Sequence, residues 1–313
     1  MTNSEPSTLL DFSSESFIEI GKTPDPSQMS IMPVVAVKGE EVRPVGTCFA
    51  ISNHGMVLTA RHVIDDALGL INGQPSDKKQ WIGVVYMAKP TPDDETKDLV
   101  GGILPVNKIH FNPELDIAAM HLNLPTNTNT SKSLRMPCSV LGTGFPDVGE
   151  SCIGIGYHLM DWEPANDGFH DYNVAQSFSA TSGEIKKVYV PRRDSVSLSF
   201  PCFETSARYD GGMSGGPVIN QKGSVIGVIC SSFGDPEGEG HISYASLVGP
   251  ALLIAVDTDV GNGVTEKRFL YDFINRGSVK SDSSINSIEV QRHEDALQIK
   301  FDDNFTMINN LAD

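Results

Sequence analysis

Apolar runs of five to eight residues recur along the chain between polar stretches, at 33–37, 45–52, 56–60, 81–87, 99–104, 117–122, 151–157, 185–190, 196–200, 225–230 and 242–247. Runs this short, bounded by Gly, Pro, Asn and Asp, read as strands rather than helices. Their regular spacing predicts antiparallel barrels. The tracts 89–97 and 163–171 carry Pro, Asp and Asn with little apolar content and read as surface loops bordering a cleft. Past 250 the pattern changes. Residues 266–275 place Phe269, Leu270, Phe273 and Ile274 on one helical face, which predicts an amphipathic helix. The alternation in 288–291 and 297–301 predicts a hairpin. Residues 1–30 are polar and Pro/Ser-rich, with Leu9, Leu10, Phe12, Phe17 and Ile18 available to dock on a core.

Composition supports the strand reading. In 313 residues, 29 Gly and 19 Pro suit a turn-rich β protein, and the length is enough for a core in each of two domains. No internal repeat is visible.

The chemistry-bearing stretch is Asp210-Gly211-Gly212-Met213-Ser214-Gly215-Gly216-Pro217. Glycines at 211 and 212 permit backbone angles that a side chain forbids, and Gly215 and Gly216 leave room for a substrate carbonyl. Ser214 then sits on a tight turn, where its own N–H and that of Gly212 can converge on an oxyanion. Glycine-flanked serine is also ordinary turn chemistry between strands. Two upstream segments supply partners. In Gly46-Thr47-Cys48-Phe49-Ala50-Ile51-Ser52-Asn53-His54-Gly55-Met56-Val57-Leu58-Thr59-Ala60-Arg61-His62, two strands join at an Asn-His-Gly turn and His62 stands at the end of the second. In Asn112-Pro113-Glu114-Leu115-Asp116-Ile117, a turn runs into a strand with Asp116 at the junction. A serine hydroxyl needs a base within reach and a group to orient that base. Ser214, His62 and Asp116 fill those roles, with Asp65 and Asp66 as competitors for the third.

These segments resemble the trypsin/chymotrypsin-fold serine peptidases, particularly the bacterial-type branch that includes the HtrA proteases. The order His, Asp, Ser agrees, and the resemblance runs from about 31 to about 250. It implies an all-β fold of two six-stranded antiparallel β-barrels with short helices and a C-terminal extension. The divisions are 1–30 as a polar segment, 31–130 as the barrel carrying His62 and Asp116, 131–255 as the barrel carrying Ser214, and 256–313 as the extension. It implies a serine endopeptidase acting through an acyl-enzyme, with Gly212 and Ser214 as the oxyanion hole. Arg208 and Tyr209 fall near the floor of the substrate pocket, with Cys230, Ser231 and Tyr244 at its walls. Arg208 either favours acidic side chains or points to solvent.

The resemblance has two departures. Met213 stands where the digestive enzymes carry the aspartate that receives a freshly cut N-terminus, so the site must be preformed or ordered by another segment or partner. The tail is too short for the PDZ module usual in HtrA proteins, and reads as packing on the barrels or as a partner contact. Either terminus is placed to regulate.

The alternative class is a catalytically silent trypsin-fold scaffold, and degenerate relatives usually lose triad members. An esterase of the Gly-x-Ser-x-Gly elbow type is disfavoured by order and spacing.

The remaining features narrow partners and setting. A formal charge of −17 argues against phosphate backbones and anionic membranes, and fits solubility or, more weakly, cationic protein substrates. The histidines 54, 110, 121, 158, 170, 241 and 293 do not repeat at ligand spacing, so no metal is expected, and the mechanism needs no cofactor. The five cysteines lie in or beside apolar strands without a C-x-x-C pair, and Val63 stands where secreted relatives carry the cysteine that would pair with Cys48. With an N-terminus lacking the basic start and apolar core of a signal peptide, the expectation is five free thiols and a cytoplasmic location. The expected partner is a protein or peptide substrate.

Overall fold

The computed structural model describes residues 18–21, 30–71, 74–75, 80–88, 100–127, 132–164, 172–234, 242–261 and 264–311. The expected loop at 89–97, residues 1–17 and 22–29 of the N-terminal segment, and the 165–171 part of the second expected loop lie outside them.

Six strands close the first barrel: β1 (Ile31–Lys38), β2 (Glu41–Ala50), β3 (Met56–Thr59), β4 (Gln80–Ala88), β5 (Val100–Phe111) and β6 (Ala118–Leu122), in the order β1-β2-β3-β6-β5-β4. Six more form the second: β7 (Ser151–Pro164), β8 (Tyr172–Tyr189), β9 (Cys202–Thr205), β10 (Pro217–Asn220), β11 (Ser224–Phe233) and β12 (Ile242–Leu247). Their order is β7-β8-β9-β12-β11-β10, and β10 pairs back onto β7. The two barrels therefore share one strand order, and in both every barrel pairing is antiparallel. Closure removes the exposed edges that an open sheet of this length would carry.

The strands follow from period-2 burial. In β1 and β4, Val34, Ala36, Ile82 and Val84 join the large cluster, whereas Val35, Val37 and Val85 form a second cluster with Val42 and a partly buried Ile103. Both faces of this part of the sheet are thus covered by apolar side chains. The second barrel has its own core of Cys152, Ile185, Phe203, Ala207, Tyr209, Met213, Val218 and Ile229.

Four expectations change. The run 196–200 is not a strand: Asp194 Oδ1 accepts the N–H groups of Val196, Ser197 and Leu198, which folds the segment into a loop. β8 is far longer than the 185–190 run, because its first half alternates through buried Ser177, Ser179 and Thr181, and hydropathy does not register polar barrel positions. Residues Glu163 and Pro164 belong to β7 rather than to a loop. The expected helix at 266–275 is helical only over α2 (Leu270–Asn275), because Val264–Phe269 is drawn into an antiparallel ladder with Ala255–Gly261.

The expected C-terminal hairpin is present, Glu289–Arg292 against Ala296–Asp302, and a third strand, Phe305–Asn310, extends it. Phe301 stacks on Phe145 at a centroid distance of 5.6 Å, Phe305 packs against Phe145 in a tilted arrangement at 5.8 Å, and Asn309 Nδ2 donates to the Leu253 carbonyl at 2.8 Å. The extension packs on the barrels. Ile18–Gly21 adds a short strand to β8 at 178–180. Among the described residues no helix is long and apolar enough to cross a membrane.

Candidate active site

His62 lies in the first turn of α1 (Arg61–Ala67), two residues past Ala60, rather than on the strand itself. Asp116 arrives from a turn: Asn112 Oδ1 accepts the Glu114 N–H and its carbonyl accepts the Leu115 N–H, which folds the chain sharply ahead of β6. Asp116 is 8 % exposed. It grips His62 twice, with Oδ2 2.8 Å from Nδ1 and Oδ1 accepting the His62 backbone N–H at 3.0 Å. That pairing puts the proton on Nδ1 and leaves Nε2 free to accept one. Burial pulls the imidazole pKa down, but the hydrogen bond and charge of Asp116, with the fields of Asp65 and Asp66, outweigh it and hold His62 above its ordinary value.

Asp65 and Asp66 make no hydrogen bond to the ring. Asp65 faces Arg61 at 3.8 Å, and Asp66 pairs with Arg43 at 3.0 Å.

Ser214 is brought to this helix by glycines. A Cβ on Gly215 would lie 2.1 Å from the Thr47 carbonyl, 2.2 Å from Thr59 Oγ1 and 3.0 Å from the Ala60 nitrogen. The serine turn is therefore seated directly on the end of β3 and the start of α1. Gly46 is squeezed in the same way, between the Val63 methyls and the Ser214 carbonyl. Thr47 N–H donates to that carbonyl at 2.8 Å. The Ser214 hydroxyl itself donates to the Cys230 carbonyl at 3.4 Å.

The turn ahead of Ser214 has a defined shape. Met213 N–H donates to the Asp210 carbonyl at 3.1 Å, and Gly212 sits at φ +93°, the combination of a type II turn. Among the described residues, neither the Gly212 nor the Ser214 N–H meets an intrachain acceptor. Met213 is fully buried in the second-barrel core, so the turn is anchored by an apolar side chain.

Two threonines that the sequence reading passed over are linked here, and the first ties the barrels together. Thr47 Oγ1 donates to the Gly212 carbonyl at 2.9 Å and accepts the Tyr157 N–H at 3.0 Å, while Thr59 Oγ1 donates to the Thr47 carbonyl at 2.7 Å. Both threonines are fully buried. A hydroxyl inside an otherwise apolar strand was the available signal.

The expected pocket residues are placed differently from one another. The side chain of Arg208 is partly exposed, and its guanidinium makes a two-pronged bridge to Asp210, both contacts 2.8 Å. The Tyr209 ring, 4 % exposed, lies across Gly154 in the second-barrel core, and only its carbonyl, which accepts Ser232 Oγ, faces the site strand. Cys230 presents its carbonyl to Ser214, and Ser231 pairs with Tyr244 in the β11–β12 ladder. The Tyr244 hydroxyl donates to Glu204, as does that of Tyr189, and Arg193 covers the Tyr244 ring at 4.8 Å.

The five cysteines are unbridged. Burial pushes their thiols up where a shift is resolved, Cys152 to about 11 and Cys202 to about 12, which keeps them protonated and unreactive. Among the described residues no cluster of His, Cys, Asp and Glu is placed to hold a metal ion.

The family described as "Trypsin-like peptidase domain" matches residues 46–228. Among solved structures, Deg5 is similar at 20 % identity, with 71 % of this chain and 85 % of that one covered and a TM-score of 0.44. A variant of the HtrA-type protease AlgW with tripeptide is similar at 18 % identity over 86 % of this chain and 65 % of that one, TM-score 0.45. The MamO protease domain from Magnetospirillum magneticum is similar at 15 % identity over 71 % and 94 %, TM-score 0.43. No curated protein matches the sequence.

Proposed function

Because this chain belongs to the trypsin-like peptidase domain family, we propose that it is a serine endopeptidase acting through an acyl-enzyme on protein or peptide substrates. Ser214 attacks the scissile carbonyl. His62 Nε2 takes the hydroxyl proton and returns it to the leaving amine, and Asp116 orients the ring and stabilises the imidazolium. The Gly212 and Ser214 N–H groups receive the oxyanion. An intracellular setting belongs to the same proposal, supported by five unpaired thiols, four of them buried.

The observation that carries this reading is the doubly held histidine: Asp116 fixes both the ring and the backbone of His62, on a helix against which the serine turn is wedged. One observation favours a second reading, a binding module of the same fold without turnover. The Ser214 hydroxyl is directed at Cys230.

Incubation of the purified chain with a denatured peptide library separates the two. The peptidase reading expects new peptide termini that disappear in Ser214→Ala. Termini that persist in that variant, or none with either protein, would overturn it.

A further inference from the structure

The chain carries a formal charge of −17, yet four of its 23 basic side chains, Lys186, Lys187, Arg192 and Arg193, fall between positions 186 and 193. They occupy the end of β8 and the start of the loop that leaves it. Lys187 and Arg192 are exposed, and among the described residues neither is held in an ion pair. Lys186 pairs with Glu184 at 2.8 Å and Arg193 with Asp194 at 3.1 Å, both at the surface, where such pairs are weak. The remaining carboxylate, Glu204, is half-buried and is satisfied from within: its Oε2 accepts the hydroxyls of Tyr189 at 2.8 Å and Tyr244 at 3.2 Å.

A row of directly opposed residues links this basic patch to the serine. The Cys230 carbonyl meets Ser214; next along β11, Ser231 stands opposite Tyr244 on β12, Tyr244 opposite Glu204 on β9, and Glu204 opposite Lys187 on β8. Opposed residues share one face of the sheet. Three strand spacings put Lys187 about 14 Å from Ser231, the length of about four extended residues. Arg193 covers the ground between them, its guanidinium 4.8 Å from the Tyr244 ring centre and 5.9 Å from that of Phe233, which is 45 % exposed. The Lys187 ammonium lies 4.7 Å from the Tyr189 ring centre. Rings beneath two of the cations fix where the charge stands before anything binds, which lowers the cost of ordering it.

Building on the endopeptidase reading, we propose that this patch is a docking surface outside the catalytic cleft for a short acidic segment of the substrate, about four residues or more ahead of the scissile bond. His62 returns its proton to the leaving amine from the first barrel, so the acyl half of the substrate extends over the second barrel, where the patch lies. A nucleic-acid strand, charged along its whole length, would run off the patch onto an acidic surface, whereas a short acidic segment ends within it.

Two quenched fluorescent peptides test this. They share one scissile sequence cut from the library and differ upstream, where one carries three Glu and the other three Gln. At low salt kcat/KM for the Glu peptide should be about five- to tenfold higher, chiefly through KM, as expected of a few exposed charge pairs, and the advantage should fade at about 0.5 M salt. Lys187→Gln combined with Arg192→Gln should cut the advantage severalfold and leave the Gln peptide's rate unchanged. Binding of the Glu peptide to Ser214→Ala, followed by fluorescence anisotropy, should weaken with the same two substitutions. Equal kcat/KM for the two peptides, an advantage untouched by the substitutions, or displacement of the Glu peptide by a single-stranded oligonucleotide more readily than by an acidic peptide of equal charge would overturn the proposal. Cleavage of neither peptide, with charge-dependent binding to Ser214→Ala intact, would overturn the endopeptidase reading and leave the docking surface standing.

Discussion

The Gly212 carbonyl accepts a hydrogen bond from the Thr47 hydroxyl at 2.9 Å, across 165 residues of sequence and from one barrel to the other. Thr47 Oγ1 in turn accepts the Tyr157 N–H, so a single buried hydroxyl satisfies a donor and an acceptor of the second barrel. Thr47→Val preserves the shape and orphans both groups. It should destabilise the fold by about 1–3 kcal/mol per buried group left unpaired. Because the Gly212 peptide would be freer to rotate, turnover should fall more than KM rises, which steady-state kinetics beside a denaturation curve will show. Unaltered turnover would mean that the turn is held without this contact.

Asp116→Asn should leave the fold in place and reduce turnover by about 10⁴, because an amide cannot hold the Nδ1 proton and Nε2 lone pair in the required arrangement. Circular dichroism and initial rates check both halves. If the rate were unchanged, the orienting role would pass to Asp65 or Asp66.

The acid limb of activity should reflect the same carboxylate. His62 must be neutral to act as a base, and its pKa is held above the ordinary imidazole value. Activity should therefore rise with pH through a midpoint above about 6.5. In the residual activity of Asp116→Asn that midpoint should move down, since the largest raising influences are removed while burial still lowers it. A pH–rate profile of kcat/KM for both proteins measures the shift.

Met213 replaces an ion pair with burial. Its side chain is fully enclosed, worth about 1.5–3 kcal/mol by area alone. Met213→Ala should cost about 2–5 kcal/mol and loosen the turn, and Met213→Leu should restore most of the stability and the rate. If burial of Met213 holds this turn in place of an N-terminal ammonium, the wild-type rate should show no fall as an α-amino group titrates near pH 8. A pronounced loss there would point to an ordering charge.

A second histidine pair should govern acid stability. His121 is pushed down to about 4 by burial, with His110 and Lys108 adding to the effect against Asp257, and the His110 ring lies 5.6 Å away. The unfolded chain therefore binds more protons than the folded one between about pH 4 and 6.5, so stability is present above that window and lost as pH falls through it. Thermal unfolding from pH 7.5 to 4.5 should show this slope, and His121→Gln should flatten it.

Much of this site was legible because it is local. The glycines around Ser214, the Asn112 turn before Asp116 and the strand leading to His62 each write their geometry into adjacent residues. The parts that escaped are non-local. Thr47 Oγ1 finds its partners only once the second barrel is docked. Residues 264–269 carry a helical apolar spacing into α2, yet pair as a strand because residues 255–261 offer a ladder. The buried Ser177, Ser179 and Thr181 of β8 look like surface until the barrel closes around them.

The central claim is that Ser214 is an activated nucleophile, and a fluorophosphonate probe tests it most directly. Intact protein beginning at Met1 should be labelled, with mass spectrometry locating the adduct on Ser214 and His62→Ala abolishing it. A folded protein that takes no label, whether intact, trimmed at its N-terminus or mixed with peptide, would contradict the account and favour a binding role for this fold.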